Sequence, residues 1–157
     1  MSRRISHAPM FFPITCDTRE QTPWIFGEDT LVTRSKLDAG DYAPTGYEAL
    51  FTLERKAIGD LVACCSWERE RFVRELERAP DYEFFAIIVE ASLEDVARHN
   101  YRANVHPSAV VGSCVAFHVD YSVPTIWAGS ATAAARIAER LMRRFVEKRI
   151  ERDGSPS

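Results

Sequence analysis

The sequence predicts an α/β or α+β sandwich, with a mixed central β-sheet flanked by helices. Three observations lead there. Short β-prone runs separated by Gly and Pro fill the first third of the chain. Helical and strand-length apolar segments then alternate to the end. Between them Phe84–Val89 is an unbroken apolar run, the pattern of a strand covered on both faces.

The elements follow in order. Ile14-Thr15-Cys16-Asp17 is short and β-prone and reads as a first strand. Thr18 to Asp29 holds Pro23 and Gly27 and reads as a loop, and Leu31-Val32-Thr33 as a second strand. Leu37 to Tyr42 has turn chemistry at Asp38-Ala39-Gly40-Asp41 and enters a third strand, before a turn at Gly46. Leu50 to Glu54 is a strand with ionisable residues at its end. From Ala57 to Ala79 the period changes. Ile58, Leu61, Val62, Cys65, Phe72, Val73 and Leu76 recur at helical spacing, broken near Ser66 and stopped by Pro80, which predicts one helix or two in tandem.

Ser92 with Asp95 three residues later predicts a capped short helix. Pro107-Ser108 opens another to about Tyr121, with Val110, Val111, Cys114, Val115 and His118 as its inward stripe. Val123–Trp127 reads as a strand placed near an edge by Pro124. Ser130 caps a last helix to about Glu151. The division expected is an arm over 1–12, one domain over 13–151 and a flexible tail over 152–157.

Composition narrows the function. Lys and Arg number 20 against 23 Asp and Glu, so neither a uniformly basic coat nor an acidic disordered chain is present. Apolar stretches of the size of Phe84–Val89 are far short of the ~20 residues of a membrane span. The N-terminal residues have no sustained apolar core of a signal peptide. The expected location is therefore inside a cell, cytoplasmic or DNA-associated, away from membranes. Cys16, Cys64, Cys65 and Cys114 form no Cys-x-x-Cys pair, and the four histidines lack zinc-site spacing, which argues against zinc hydrolases and deaminases. The cysteines are expected to be small buried hydrophobes.

The chemistry-bearing stretch is 38–60. On a strand, period 2 puts Glu54 and Lys56 on one face and Arg55 on the other. With Asp41 on a neighbouring strand, two carboxylates and a backbone carbonyl make a hard-oxygen site of the kind that holds Mg²⁺. Such an ion lowers the pKa of bound water and stabilises charge on a phosphodiester. Lys56 is placed to orient or deprotonate the water, or to stabilise the pentavalent intermediate. Asp60, in the first turn of the next helix, is placed to hold Lys56 or to reach the metal through water.

Taken together, Ile14-Thr15-Cys16-Asp17-Thr18-Arg19-Glu20, Gly40-Asp41-Tyr42, Glu54-Arg55-Lys56-Ala57-Ile58-Gly59-Asp60 and Arg71-Phe72 resemble the nuclease domain of the XPF-type structure-specific endonucleases. The resemblance spans about residues 13–150. It implies a restriction-endonuclease-like core of the PD-(D/E)xK superfamily. The activity implied is Mg²⁺- or Mn²⁺-dependent hydrolysis of branched or flapped DNA (flaps, forks, Holliday-type junctions), in repair or recombination. It implies Asp41, Glu54 and the Arg55 backbone carbonyl as metal ligands and Lys56 as the water-positioning base. Asp17 and Asp60 join the catalytic set, Glu20 supports it, and Arg19 and Arg71 contact DNA.

The family's tandem helix-hairpin-helix module has no Gly-x-Gly signature in this sequence, which implies a relaxed substrate choice or a partner protein that supplies specificity. The resemblance also implies a homodimer through helix 108–120 and the last helix. Val111, Val115, Ile137, Leu141 and Phe145 would line that interface, or pack on the domain's own sheet. The charge alternation of Glu68 to Arg78 reads as a solvated, self-paired helix face apart from Arg71, and seven basic against four acidic residues over 134–153 give a local excess of +3. Two alternatives stand beside the nuclease reading. One is a non-catalytic DNA-binding or dimerisation subunit, and the other a sequence-specific restriction-like enzyme.

Overall fold

A computed structural model describes residues 12–153. Six strands form one sheet in the order β2-β1-β3-β4-β5-β6. They are β1 (Ile14–Cys16), β2 (Val32–Arg34), β3 (Tyr42–Pro44), β4 (Phe51–Lys56), β5 (Phe84–Val89) and β6 (Thr125–Trp127). β1 runs parallel to β2 and antiparallel to β3, and β3 is antiparallel to β4. β4, β5 and β6 are parallel to one another. The mixed sheet is therefore as expected, and β6 with its preceding Pro124 does lie at an edge.

The strand period divides the core. Phe85, Ile87 and Val89 of β5 enter one apolar cluster, and Ala86 and Ile88 the other, so the strand is buried on both faces. The first face is covered by α1 (Ile58–Cys64), α2 (Arg69–Leu76), α3 (Leu93–Ala97) and α4 (Pro107–Tyr121). The second is covered by α5 (Ala131–Asp153) and the 22–27 loop through Trp24. Ala134, Ala135 and Ala138 are buried on α5, and such small side chains let a helix approach a sheet closely. In β4, Phe51 and Leu53 enter the α5 side, which leaves Thr52, Glu54 and Lys56 on the α1–α2 side.

Two helices in tandem fill 57–79, with a backbone-bonded corner at Ser66 and a 3₁₀ turn at Ala79–Asp81. Ser92 and Asp95 form the capping box. All four cysteines are buried and free. The expectation for α4 is corrected. Its buried residues are Val110, Ser113, Cys114 and Phe117, while Val115 is 57 % exposed and His118 lies in solvent. The helix is apolar on two sides, so periodicity alone left its rotation open. Phe117 decides it by packing edge-on against Phe72, with ring centroids 5.4 Å apart.

The boundaries also shift. Of the expected arm only Phe12 is described, and it is a core residue with the Arg143 guanidinium over its ring. Residues 1–11 and 154–157 lie outside the described residues, and Arg152 and Asp153 continue α5. Val111, Ile137, Leu141 and Phe145 pack on the domain's own two clusters.

Candidate active site

The turn that delivers Asp41 is built around Gly40. Its φ of +73° is a left-handed conformation, and a Cβ there would lie 1.9 Å from Thr52 Oγ1. With no side chain in the way, Thr52 Oγ1 donates to the Ala39 carbonyl at 2.7 Å. The Asp41 N–H donates to the Leu53 carbonyl and the Asp41 carbonyl accepts from the Asp17 N–H, both at 2.8 Å. The backbone of Asp41 is thus held between β1 and β4. Its Oδ2 accepts the Arg55 N–H at 2.7 Å. A strand residue's N–H and C=O leave on the same side, so the Arg55 carbonyl is on the Asp41 edge of β4.

Two residues further along the same face, the ammonium of Lys56 lies 3.1 Å from Glu54 Oε1 and over the Phe72 ring. Glu54 is 6 % exposed, and its Oε2 is buried without a donor, with the Glu75 side chain beside the carboxyl. Asp41, Glu54 and Lys56 converge in a cleft of about 230 Å³. Cys64 and Phe72 line it as well, together with Arg19, Glu68, Arg71 and Glu75.

Electrostatics follow from this crowding. Burial pushes the Asp41 carboxyl up to about 7, opposed by the Arg55 N–H and aided by the charges of Glu20 and Glu75. Burial, then the Asp41 and Glu75 charges, drives Glu54 well above the ordinary carboxylate range. Burial works against the Lys56 charge, but the Glu54 carboxylate outweighs it and raises the pKa, so Lys56 is an ammonium at neutral pH.

The donor set fits a hydrated divalent cation. No group of three or more His, Cys, Asp or Glu ligands gathers among the described residues. Two carboxylates, one of them with a buried oxygen lacking a donor, match a cation that keeps several waters.

Arg55 points to the opposite face. It binds Glu90 through Nε at 2.9 Å, Glu20 at 3.0 Å and the Thr22 carbonyl at 2.7 Å, and stacks over Trp24. Tyr42 closes this network by donating to Glu20 and accepting the Trp24 N–H. Glu20 thus sits in the Arg55 network on the far face of β4.

The other expected residues divide. Arg19 and Arg71 are exposed and line the cleft. Asp17 does not line it. Its carboxylate is fully buried and accepts from Arg19 Nε, the Arg19 N–H and the Leu37 N–H, so it positions Arg19, while the Asp17 N–H holds the Asp41 carbonyl. Asp60 is exposed and borders a separate depression with Glu20, Arg55 and Glu90, and Lys56 pairs with Glu54 rather than with Asp60.

The expected self-pairing on α2 holds for Arg74 with Glu70. Arg69 instead reaches Ser113, Arg78 the Asp38 carbonyl, and Glu75 the Gly40 N–H at 3.0 Å. Sequence reasoning missed Cys64, Glu68 and Glu75 as cleft residues, and the one available signal for Glu75 was its place a helical turn after Arg71.

An ERCC4 domain model matches residues 17–141, a range that contains every residue of the cleft. The chain belongs to the ERCC4 domain family. Two solved structures share the fold of this ERCC4 domain. XPF from Aeropyrum pernix matches at a TM-score of 0.68 and 23% identity, over 83% of this chain and 60% of that one. The same protein in complex with DNA matches at 0.67 and 23% identity, over 87% of this chain and 66% of that one. The ERCC4 domain described here therefore spans roughly three-fifths to two-thirds of the chains it resembles. No curated protein sequence matches it. No helix among the described residues is long and apolar enough to cross a membrane.

Proposed function

We propose that this ERCC4 domain is a Mg²⁺- or Mn²⁺-dependent endonuclease that hydrolyses phosphodiester bonds in branched or flapped DNA, in repair or recombination. One observation carries the reading. Glu54 keeps a buried oxygen without a donor, beside Asp41 and the Lys56 ammonium, in a cleft flanked by the exposed guanidinium groups of Arg19 and Arg71. A buried carboxylate oxygen without a donor is costly unless something cationic completes it. The DNA complex of the A. pernix relative supports DNA as the partner.

Asp41, Glu54 and the Arg55 carbonyl would hold the cation, which supplies Lewis acidity and a nucleophilic water at neutral pH. The protein's own residues do the rest. Arg19 and Arg71 take phosphate oxygens and set the register of the backbone in the cleft. Lys56, protonated and anchored on Glu54, donates from Nζ to the attacking water or to charge building on phosphorus. In that state it orients and stabilises rather than removing a proton. Asp17 holds Arg19 at its exposed position, and the Arg55 network on the far face keeps β4 in register.

A homodimer, with a partner protein setting the preferred DNA structure, completes the proposal. Val115 and Val119, exposed one turn apart on α4, support a contact there. The test is cleavage of labelled flaps, forks, four-way junctions and plain duplex with Mg²⁺, Mn²⁺ or EDTA, by wild type, Asp41→Ala and Lys56→Ala. Metal-dependent cutting of branched DNA by wild type alone is expected. Equal activity of all three proteins removes the proposed site, and cutting of plain duplex at a fixed sequence removes the proposed substrate.

A further inference from the structure

α2 reaches the cleft through Arg71, Phe72 and Glu75, and the two charged side chains lie a turn apart. Such a spacing ordinarily favours an ion pair between them, yet among the described residues Glu75 is engaged elsewhere. Its Oε1 accepts the Gly40 N–H at 3.0 Å, across 35 residues of sequence. Gly40 is the left-handed residue directly before Asp41, and its neighbour Thr52 excludes any side chain that could brace the turn from within. The brace therefore comes from outside, from α2.

The turn has few other restraints on the α2 side. Arg78 holds the Asp38 carbonyl and Thr52 holds that of Ala39, but the Gly40 N–H is met by Glu75.

We infer that Glu75 is a positioning residue of the site: it ties the phosphate-facing helix α2 to the Gly40–Asp41 turn, so that Asp41 and Glu54 address one cation while Arg71 on the same helix holds the substrate. The inference rests on the metal-dependent nuclease reading above. It assigns Glu75 a role in cation affinity and turnover, separate from the substrate-binding role of Arg71.

The experiment compares wild type, Glu75→Ala, Glu75→Met, Glu75→Gln, Arg71→Ala and Asp41→Asn. Glu75→Met keeps side-chain length without an oxygen to accept the amide, and Glu75→Gln keeps that oxygen. Mn²⁺ is titrated calorimetrically into each protein without DNA, and kcat and KM are measured on a labelled flap. Glu75→Ala and Glu75→Met should each lower Mn²⁺ affinity and kcat by about 10–100-fold, the usual effect of losing a group that orients a metal ligand. KM for the flap should barely move. Glu75→Gln should recover most of the loss, and Arg71→Ala should raise KM while leaving Mn²⁺ affinity unchanged.

Wild-type values in Glu75→Met, or a Glu75→Gln as impaired as Glu75→Ala, overturn the inference alone, provided Asp41→Asn has lost Mn²⁺. A wild type that takes up no Mn²⁺, or an Asp41→Asn that binds it as wild type does, overturns the nuclease reading and this inference together.

Discussion

Glu54 and Lys56 meet at 3.1 Å on one face of β4, and the second oxygen of Glu54 is left buried without a donor. The ammonium thus neutralises half of the carboxylate's hydrogen-bonding capacity and leaves the other half for a ligand. Four consequences can be measured.

Lys56→Met should abolish cleavage more than it harms the fold. Loss of one donor aimed at developing charge costs roughly 10²–10³-fold in kcat. Burial pushes the Glu54 carboxyl upward, so it can take up a proton when its partner is gone, and the melting transition should move little. Flap-cleavage rates and circular-dichroism melts check this. A variant that cuts at the wild-type rate would remove Lys56 from the chemistry.

The carboxyl of Asp41 gives the site a pH dependence of known sign. Its pKa is raised from 3.8 to about 7 by burial, so between those values the folded chain binds a proton that the unfolded chain has released. The stability this contributes is present below the unfolded value and is lost as pH rises through about 7. Metal-free melts should therefore fall in temperature across that window, and Asp41→Asn should flatten the slope. Mn²⁺ binding needs the carboxylate, so wild-type affinity should rise over the same window. A flat wild-type profile in both measurements would contradict the burial argument.

Gly40→Ala should destabilise the chain by roughly 1–3 kcal/mol from backbone conformation alone, with a further cost from the Cβ placed 1.9 Å from Thr52 Oγ1. Thr52→Ala should relieve only the second part. Denaturant titrations of the two single variants and the double variant would then be non-additive. Simple additivity would show that the close approach does not matter.

Arg55→Lys should behave in the opposite way to Lys56→Met. The guanidinium satisfies Glu90, Glu20 and the Thr22 carbonyl together and stacks on Trp24, and an ammonium cannot span that set. A stability loss of about 2 kcal/mol or more is expected, since hydrogen bonds to charged groups are each worth about 1.5–3. Cleavage per folded molecule should fall far less than in Lys56→Met. Urea titration with parallel rate measurement separates the two effects.

Much of this was legible in local pattern. The spacing of Glu54, Arg55 and Lys56 on a strand was enough to send the outer two to one face and Arg55 to the other, because the strand period is a property of the backbone. Tandem helices stopped by Pro80, the Ser92 cap and the doubly covered β5 were equally local. The α4 rotation was not, because valines on two sides of that helix satisfy the same periodicity and only the packing of Phe117 on Phe72 chooses between them.

Local pattern set the short-range part: which residues form strands and helices, and that Glu54 and Lys56 share a side of β4. Tertiary structure decided which distant groups join them. Asp60 sits four residues from Lys56, yet the turn into α1 carries it to another depression, while Glu75 arrives from α2 to hold Gly40. The physical reason is range. Backbone periodicity propagates over a few residues, whereas convergence across a cleft depends on strand order and helix rotation, which the packing of the whole core sets.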